Sequence, residues 1–290
     1  MSALLALRRS PGDDLKAAVP ADAIANAAAK ALQLELATFP KPGLVSHVDQ
    51  GSHRDMDAST FRASAAALRP FFAELAVAGA AGAAMPALRR IGIAAEAAMR
   101  AATGGVNTHR GAIFGLGLLC AAAGAIRVPQ CGELGAFVRQ RYAADIFDGP
   151  ELLHAPGARA RRRYRVGGAP AEAASGFPTL YQVGLPALHR ARRIRPEDAE
   201  AARVETCFAL IAHLEDTNLL HRGGTEGYAF ARQQAARFLT EGGIAQPEWR
   251  AWAEGLHYAF IARNLSPGGA ADLLSMTLFV DALESGIVLS

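Results

Sequence analysis

The sequence predicts an all-α fold: a single multi-helix globular domain with glycine-rich helix-start loops around a central polar site. Two observations carry that expectation. Alanine-rich stretches place apolar residues at helical spacing along most of the chain, and the strict alternation of a half-buried strand is nearly absent. The breaks between those stretches are short and carry Gly or Pro, with no long polar linker to divide the chain. At 290 residues, 51% of them hydrophobic, the chain can bury one sizeable core.

In chain order, residues 1–21 read as a loose tail and 22–290 as one helical domain. Helical periodicity covers 22–39, 58–78, 87–102, 111–125, 131–145, 178–191, 197–221, 225–241, 246–263 and 270–285. Asp57 stands where an N-cap of the second stretch would. Thr108, Thr225 and Ser266 hold similar positions further on, with Pro267 suited to a first turn. "RARRIR" (190–195) reads as a helix C-terminus with its cations against the dipole. The region 147–177 lacks a clear period and contains "HAPGARARRRYRVGGAP", so it is expected to be a long basic loop that a ligand could order.

Composition narrows the function classes. A formal net charge of +3 leaves no general electrostatic footprint for nucleic acid, so no nucleic-acid partner is expected and any basic function is local. Cys120, Cys131 and Cys207 show no metal or disulfide spacing, which fits a reducing cytoplasm. "MSALLALRRSPGDD" places its arginines after its few apolar residues, the reverse of a secretory signal. The apolar, uncharged run Gly111 to Ile126 has 16 residues, short of the ~20 a spanning helix needs, so no membrane role is expected.

The informative residues collect at the helix breaks. "GGVNTHRG" (104–111), "HRGGTEG" (221–227) and "SPGGAADLL" (266–274) set glycines before helical runs, where free backbone N–H groups and a partial positive charge suit phosphate. Helix capping and chain reversal explain any one of these; three together favour a polyphosphate ligand. "KPGLVSHVDQGSHRDMDAST" (41–60) offers Asp55 and Asp57 to a hard divalent cation, Mg²⁺ or a relative of it, while capping alone would also account for Asp57. In "HLEDTNLLHRGG" (213–224), helical spacing puts His213, Asp216, Thr217 and His221 on one side with Asn218 and Arg222 beside them. A buried charge needs a partner or a ligand, so this helix is expected to line an internal polar site; a self-satisfied network around Asp216 is the plainer alternative. "RARRRYR" (159–165) either clamps a multiply charged substrate or forms a solvated face.

Four segments, "KPGLVS…GSHRDMD", "GVNTHRGAIFGLGLL", "EDTNLLHRGG" and "NLSPGGAADLL", resemble the signature segments of the triphosphoribosyl-dephospho-CoA synthases, in the same order and at comparable spacing over about residues 25–285. The resemblance implies an all-helical enzyme with ATP and 3′-dephospho-CoA as substrates, releasing adenine and making the prosthetic-group precursor of the malonate decarboxylase or citrate lyase acyl carrier protein. "LVSHVDQGSHRDMD" and the undivided chain look closer to the malonate decarboxylase branch. In that reaction the 2′-hydroxyl of dephospho-CoA attacks C1 of the ATP ribose through an oxocarbenium-like transition state. Asp55, Asp57 and Asp216 are then assigned to the metal, Glu215 or Asp272 to the general base, and His221 with Asp216 to catalysis. Lys41, Ser46, Asn107, His109, Arg110, Glu172, Asn218, Arg222, Gly223, Gly224, Ser266, Gly268 and Gly269 are assigned to substrate and phosphate. One departure stands out: "GGAPAEAASGFP" has Pro170 where the family commonly carries an arginine, so either the neighbouring arginines 161–163 supply that charge or the region acts differently here. A homodimer and contact with a downstream prosthetic-group transferase are both compatible with the sequence. The rival readings are a metal-dependent helical phosphohydrolase acting on a nucleotide, which the absence of an adjacent His-Asp pair opposes, and a non-catalytic scaffold.

Overall fold

Twelve α-helices and no strand make up the described residues, 18–150 and 154–286, of this computed structural model. They are α1 (Ala21–Leu36), α2 (Ala58–Ala80), α3 (Met85–Ala102), α4 (Arg110–Ala125), α5 (Glu133–Phe147), α6 (Pro156–Tyr164), α7 (Gly168–Ala174), α8 (Leu185–Ile194), α9 (Ala199–His213), α10 (Thr217–Thr240), α11 (Trp249–Ala262) and α12 (Gly268–Ser285). Nearly all of the expected tail lies outside the described residues. No helix among them is long and apolar enough to cross a membrane.

The periodicity explains the layering. On α1 the buried positions Ile24, Ala28, Leu32 and Glu35 recur at three- and four-residue steps and form one stripe, so that a carboxylate ends up in the core. α4 is apolar all round and accordingly sits at the centre, against α1, α2, α3, α5 and α12. α2 and α4 approach closely because Gly79 faces the carbonyl of Ala121 and Gly124 faces that of Ala76; a Cβ at either glycine would lie 1.9 Å from the opposing oxygen. α9 and α12 are the other largely buried helices, and α12 touches α1, α4, α9 and α10. The starts of α4, α10 and α12 thus lie inside the molecule.

Three expectations are corrected. The stretch 197–221 is not one helix: α9 ends at His213, and Asp216 caps a new helix by accepting the N–H groups of Asn218 (2.8 Å) and Leu219 (3.2 Å). A short carboxylate that satisfies the backbone of a new first turn competes with helix continuation, and here it wins. The break foreseen before residue 225 is a kink within α10 at Gly224 (φ 61°, ψ −160°). The described residues of the region 147–177 are largely helical: α6 begins with Pro156 in its first turn, buries Ala158 and Ala160, packs on α10 and ends at a left-handed Arg165, and α7 follows. The arginines of "RARRIR" do more than face the dipole, since Arg192 pairs with buried Asp281 (2.6 Å) and Arg190 with buried Glu205 (3.1 Å).

Candidate active site

The four motif segments, far apart in sequence, meet at these interior helix starts. Ser52 donates to the carbonyl of Leu265 (2.6 Å), and His53 Nε2 lies 2.9 Å from Ser266 Oγ. Arg222 ties the kinked part of α10 to both, donating to the carbonyls of Ser52 (2.5 Å) and Asn264 (2.8 Å). Asp216 joins two helices: besides capping α10 it accepts the N–H of Ala270 at the start of α12 (3.0 Å). Asp272, just past the first turn of α12, leans on the first turn of α4. Its carboxyl accepts from the Ala112 N–H and fills the space over Gly111, where a Cβ would lie 2.0 Å from Oδ2.

A buried charge cluster results. Lys41 is fully buried and its ammonium is paired with Glu35, itself in the core. Burial raises the pKa of Glu35 against the opposing pull of Lys41. Asp216 is raised by burial, offset by backbone N–H donors. Asp272 is held well above the usual carboxylate range by loss of solvent, and the nearby charges of Glu35 and Asp216 push the same way. Its surroundings therefore favour the protonated form of the Asp272 carboxyl. His109 is only 4% exposed. Burial and Lys41 depress its pKa to about 3, so its ring is neutral, and Nε2 has no hydrogen-bond partner.

The other sequence candidates fall into three groups. Ser46, Asn107, Ser266, Gly268 and Gly269 lie in the converging loops and helix starts: Ser46 Oγ accepts from Val48 N (3.1 Å), Asn107 Oδ1 from Arg110 N (3.2 Å), and the Asn218 amide lies over Gly268. Arg110 reaches away to Glu96. Gly223 packs on Leu265. His213, Glu215 and His221 are exposed, which corrects the expectation of one polar helix face lining an interior; Glu215 accepts from the N–H of Gly167 (3.3 Å), before α7. Glu172 holds the backbone N–H (2.7 Å) and hydroxyl (3.0 Å) of Thr179 and serves the turn after α7 rather than the cluster.

The residues put forward for a divalent cation do not fit one. Asp57 accepts from the Ser59 hydroxyl (2.7 Å) and forms a capping box with Thr60, and these hydrogen bonds hold its pKa down to about 2. Asp55 is exposed beside His53 (3.7 Å), and Asp216 is engaged with backbone N–H groups. Among the described residues no group of three or more His, Cys, Asp or Glu side chains could hold a metal ion.

The arginines of α6 form a surface feature of their own. Arg159, Arg162, Arg163 and Tyr164 line a groove of about 490 Å³ whose other wall includes Leu220 and His221 of α10. Such a groove suits a multiply charged anion. The sequence reading missed Glu35 and Ser64. A glutamate on the apolar stripe of α1 is a legible signal; Ser64 carries none, because a serine within an alanine-rich helix looks like filler.

Residues 21–289 match the family model described as ATP:dephospho-CoA triphosphoribosyl transferase (CitG). The chain is 42% identical over 263 residues to the 2-(5″-triphosphoribosyl)-3′-dephosphocoenzyme-A synthase of Pectobacterium atrosepticum, covering 86% of this chain and 85% of that one. It is 37% identical over 280 residues to the protein of that name from Klebsiella pneumoniae, covering 92% of each. No solved structure matches. An all-helical chain whose four motif segments converge on buried acid groups, and which matches this family over nearly its whole length, belongs to the ATP:dephospho-CoA triphosphoribosyl transferases.

Proposed function

We propose that the chain transfers the 5-triphosphoribosyl group of ATP to the 2′-hydroxyl of 3′-dephospho-CoA and releases adenine. The C1–N9 bond of ATP breaks and a bond from C1 to the 2′-oxygen forms. The observation that carries this reading is Asp272, whose carboxyl rests on the first turn of α4 near Glu35 and Asp216, surroundings that favour its protonated form. A carboxyl biased toward its acid form is matched to a leaving group that must gain a proton, so Asp272 acts as the general acid for adenine and not as the base. Glu215, exposed between α7 and α10, takes the proton of the attacking hydroxyl. Asp216 holds the starts of α10 and α12 in place. The helix starts and Lys41 face the triphosphate, and the groove of Arg159, Arg162, Arg163 and His221 takes phosphates of the second substrate.

The product is assigned to the malonate decarboxylase acyl carrier protein, on the wording of residues 44–57. The names of the relatives do not choose between the two pathways. Incubation of the purified protein with ATP and 3′-dephospho-CoA, followed by chromatography, tests the reaction: free adenine and a triphosphoribosylated dephospho-CoA are expected. ADP or inorganic phosphate without adenine would indicate a phosphohydrolase instead.

A further inference from the structure

We infer that His109 donates a hydrogen bond from Nε2 to a ring nitrogen of the departing adenine, and that Ser64 and Thr108 are positioning residues that fix the tautomer it needs. The inference rests on the transfer reaction proposed above. His109 stands at the N-cap of α4, two residues before the glycine on which the Asp272 carboxyl rests. Its Nδ1 lies 2.6 Å from Ser64 Oγ, and the Thr108 hydroxyl donates to that same oxygen (2.8 Å). A hydroxyl has one hydrogen to give. With Thr108 as donor to Ser64, the Ser64 hydrogen goes to His109 Nδ1, which is then the acceptor nitrogen, and the ring proton resides on Nε2.

That Nε2–H is enclosed and has no partner among the described residues. A buried donor left unpaired is destabilising, and an uncompensated one at a converging site marks a place for a ligand acceptor. The ligand atom follows from charge. A ring held neutral by burial and by Lys41 offers no full positive charge to a phosphate, but it suits a neutral heterocyclic nitrogen that becomes more basic as the glycosidic bond breaks. The Phe61 ring, 4.8 Å from the imidazole centroid at 71°, adds an aromatic neighbour appropriate to a purine.

Nitrogen-15 NMR of histidine-labelled protein, together with steady-state adenine release, tests this. Wild-type protein should show His109 as the Nε2–H tautomer. Ser64→Ala should lose that signature and lower kcat about 10- to 100-fold while KM for ATP and dephospho-CoA stays within about threefold; Ser64→Thr should restore both. Thr108→Val, nearly isosteric, gives the same reading in a second variant should Ser64→Ala not fold. An Nδ1–H tautomer in the wild type, or folded Ser64→Ala and Thr108→Val with wild-type kcat, would overturn the inference. Wild-type protein that makes no adenine would overturn the transfer reaction itself, a failure distinguishable from the first because the NMR is read on the free protein.

Discussion

Asp216 shows how a residue-scale reading can locate a group and still mistake its work. Its place in a polar run threaded with leucines announced a buried carboxylate, but the partners are backbone N–H groups of two helix starts, which no side-chain inventory reveals. The consequence is structural: Asp216→Ala should lose about 3–4 kcal/mol in chemical denaturation, and Asp216→Asn, which keeps one acceptor oxygen, about 1–2 kcal/mol. A destabilisation under about 0.5 kcal/mol for both would contradict the double-cap role. His109 and Lys41 were legible because polar residues in glycine-flanked segments stand out. Glu35 could have been found from its place on the apolar stripe of α1, whereas Ser64 gives no signal in its helix and only packing brings it to the site. His109 also sets a pH dependence. Its folded pKa of about 3 lies below the ordinary histidine value of 6.5, so the unfolded chain binds the proton first. Its contribution is fully present above pH 6.5 and is lost as pH falls from there toward 3, and His109→Gln should flatten that part of the stability profile.

At the scale of elements, the apolar periods were legible and the polar interruptions were not. α2, α3, α4 and α12 lie close to where helical spacing puts them, because a core-facing stripe leaves few alternatives. The α9–α10 break escaped notice because leucines at 214, 219 and 220 continue the apolar pattern across it while the cap works through the backbone. The basic region was read as a loop because arginine and glycine crowd it, although Ala158 and Ala160 are enough to bury one side of α6. Two predictions belong here. Gly79→Ala or Gly124→Ala should force α2 from α4 and cost about 1–3 kcal/mol or more, seen as a lower denaturation midpoint with an unchanged slope. Arg159→Ala with Arg163→Ala should raise KM for one substrate by about tenfold with less effect on kcat, since groove contacts act as uniform binding; unchanged KM values for both substrates would return α6 to a solvated face.

For the molecule as a whole, the order and spacing of four motif segments gave the family, but not the arrangement that makes them one site. Residues 41–57, 104–112, 214–224 and 264–272 touch only because α1, α4 and α12 pack at the centre and present their ends to each other. Three-dimensional convergence also reassigns roles: the aspartates expected at a metal become caps and a surface carboxylate, while loss of solvent, helped by Glu35 and Asp216 more than fifty residues away in sequence, raises the pKa of Asp272. The central claim is that this protonated carboxyl delivers a proton to adenine. Asp272→Asn keeps the size and a hydrogen-bond donor and removes only the transferable proton. Its adenine release should fall about 10²- to 10⁴-fold, with substrate affinity nearly unchanged and a thermal midpoint no lower than that of the wild type, because a neutral amide replaces a neutral acid. A folded Asp272→Asn protein that releases adenine at the wild-type rate would contradict the account.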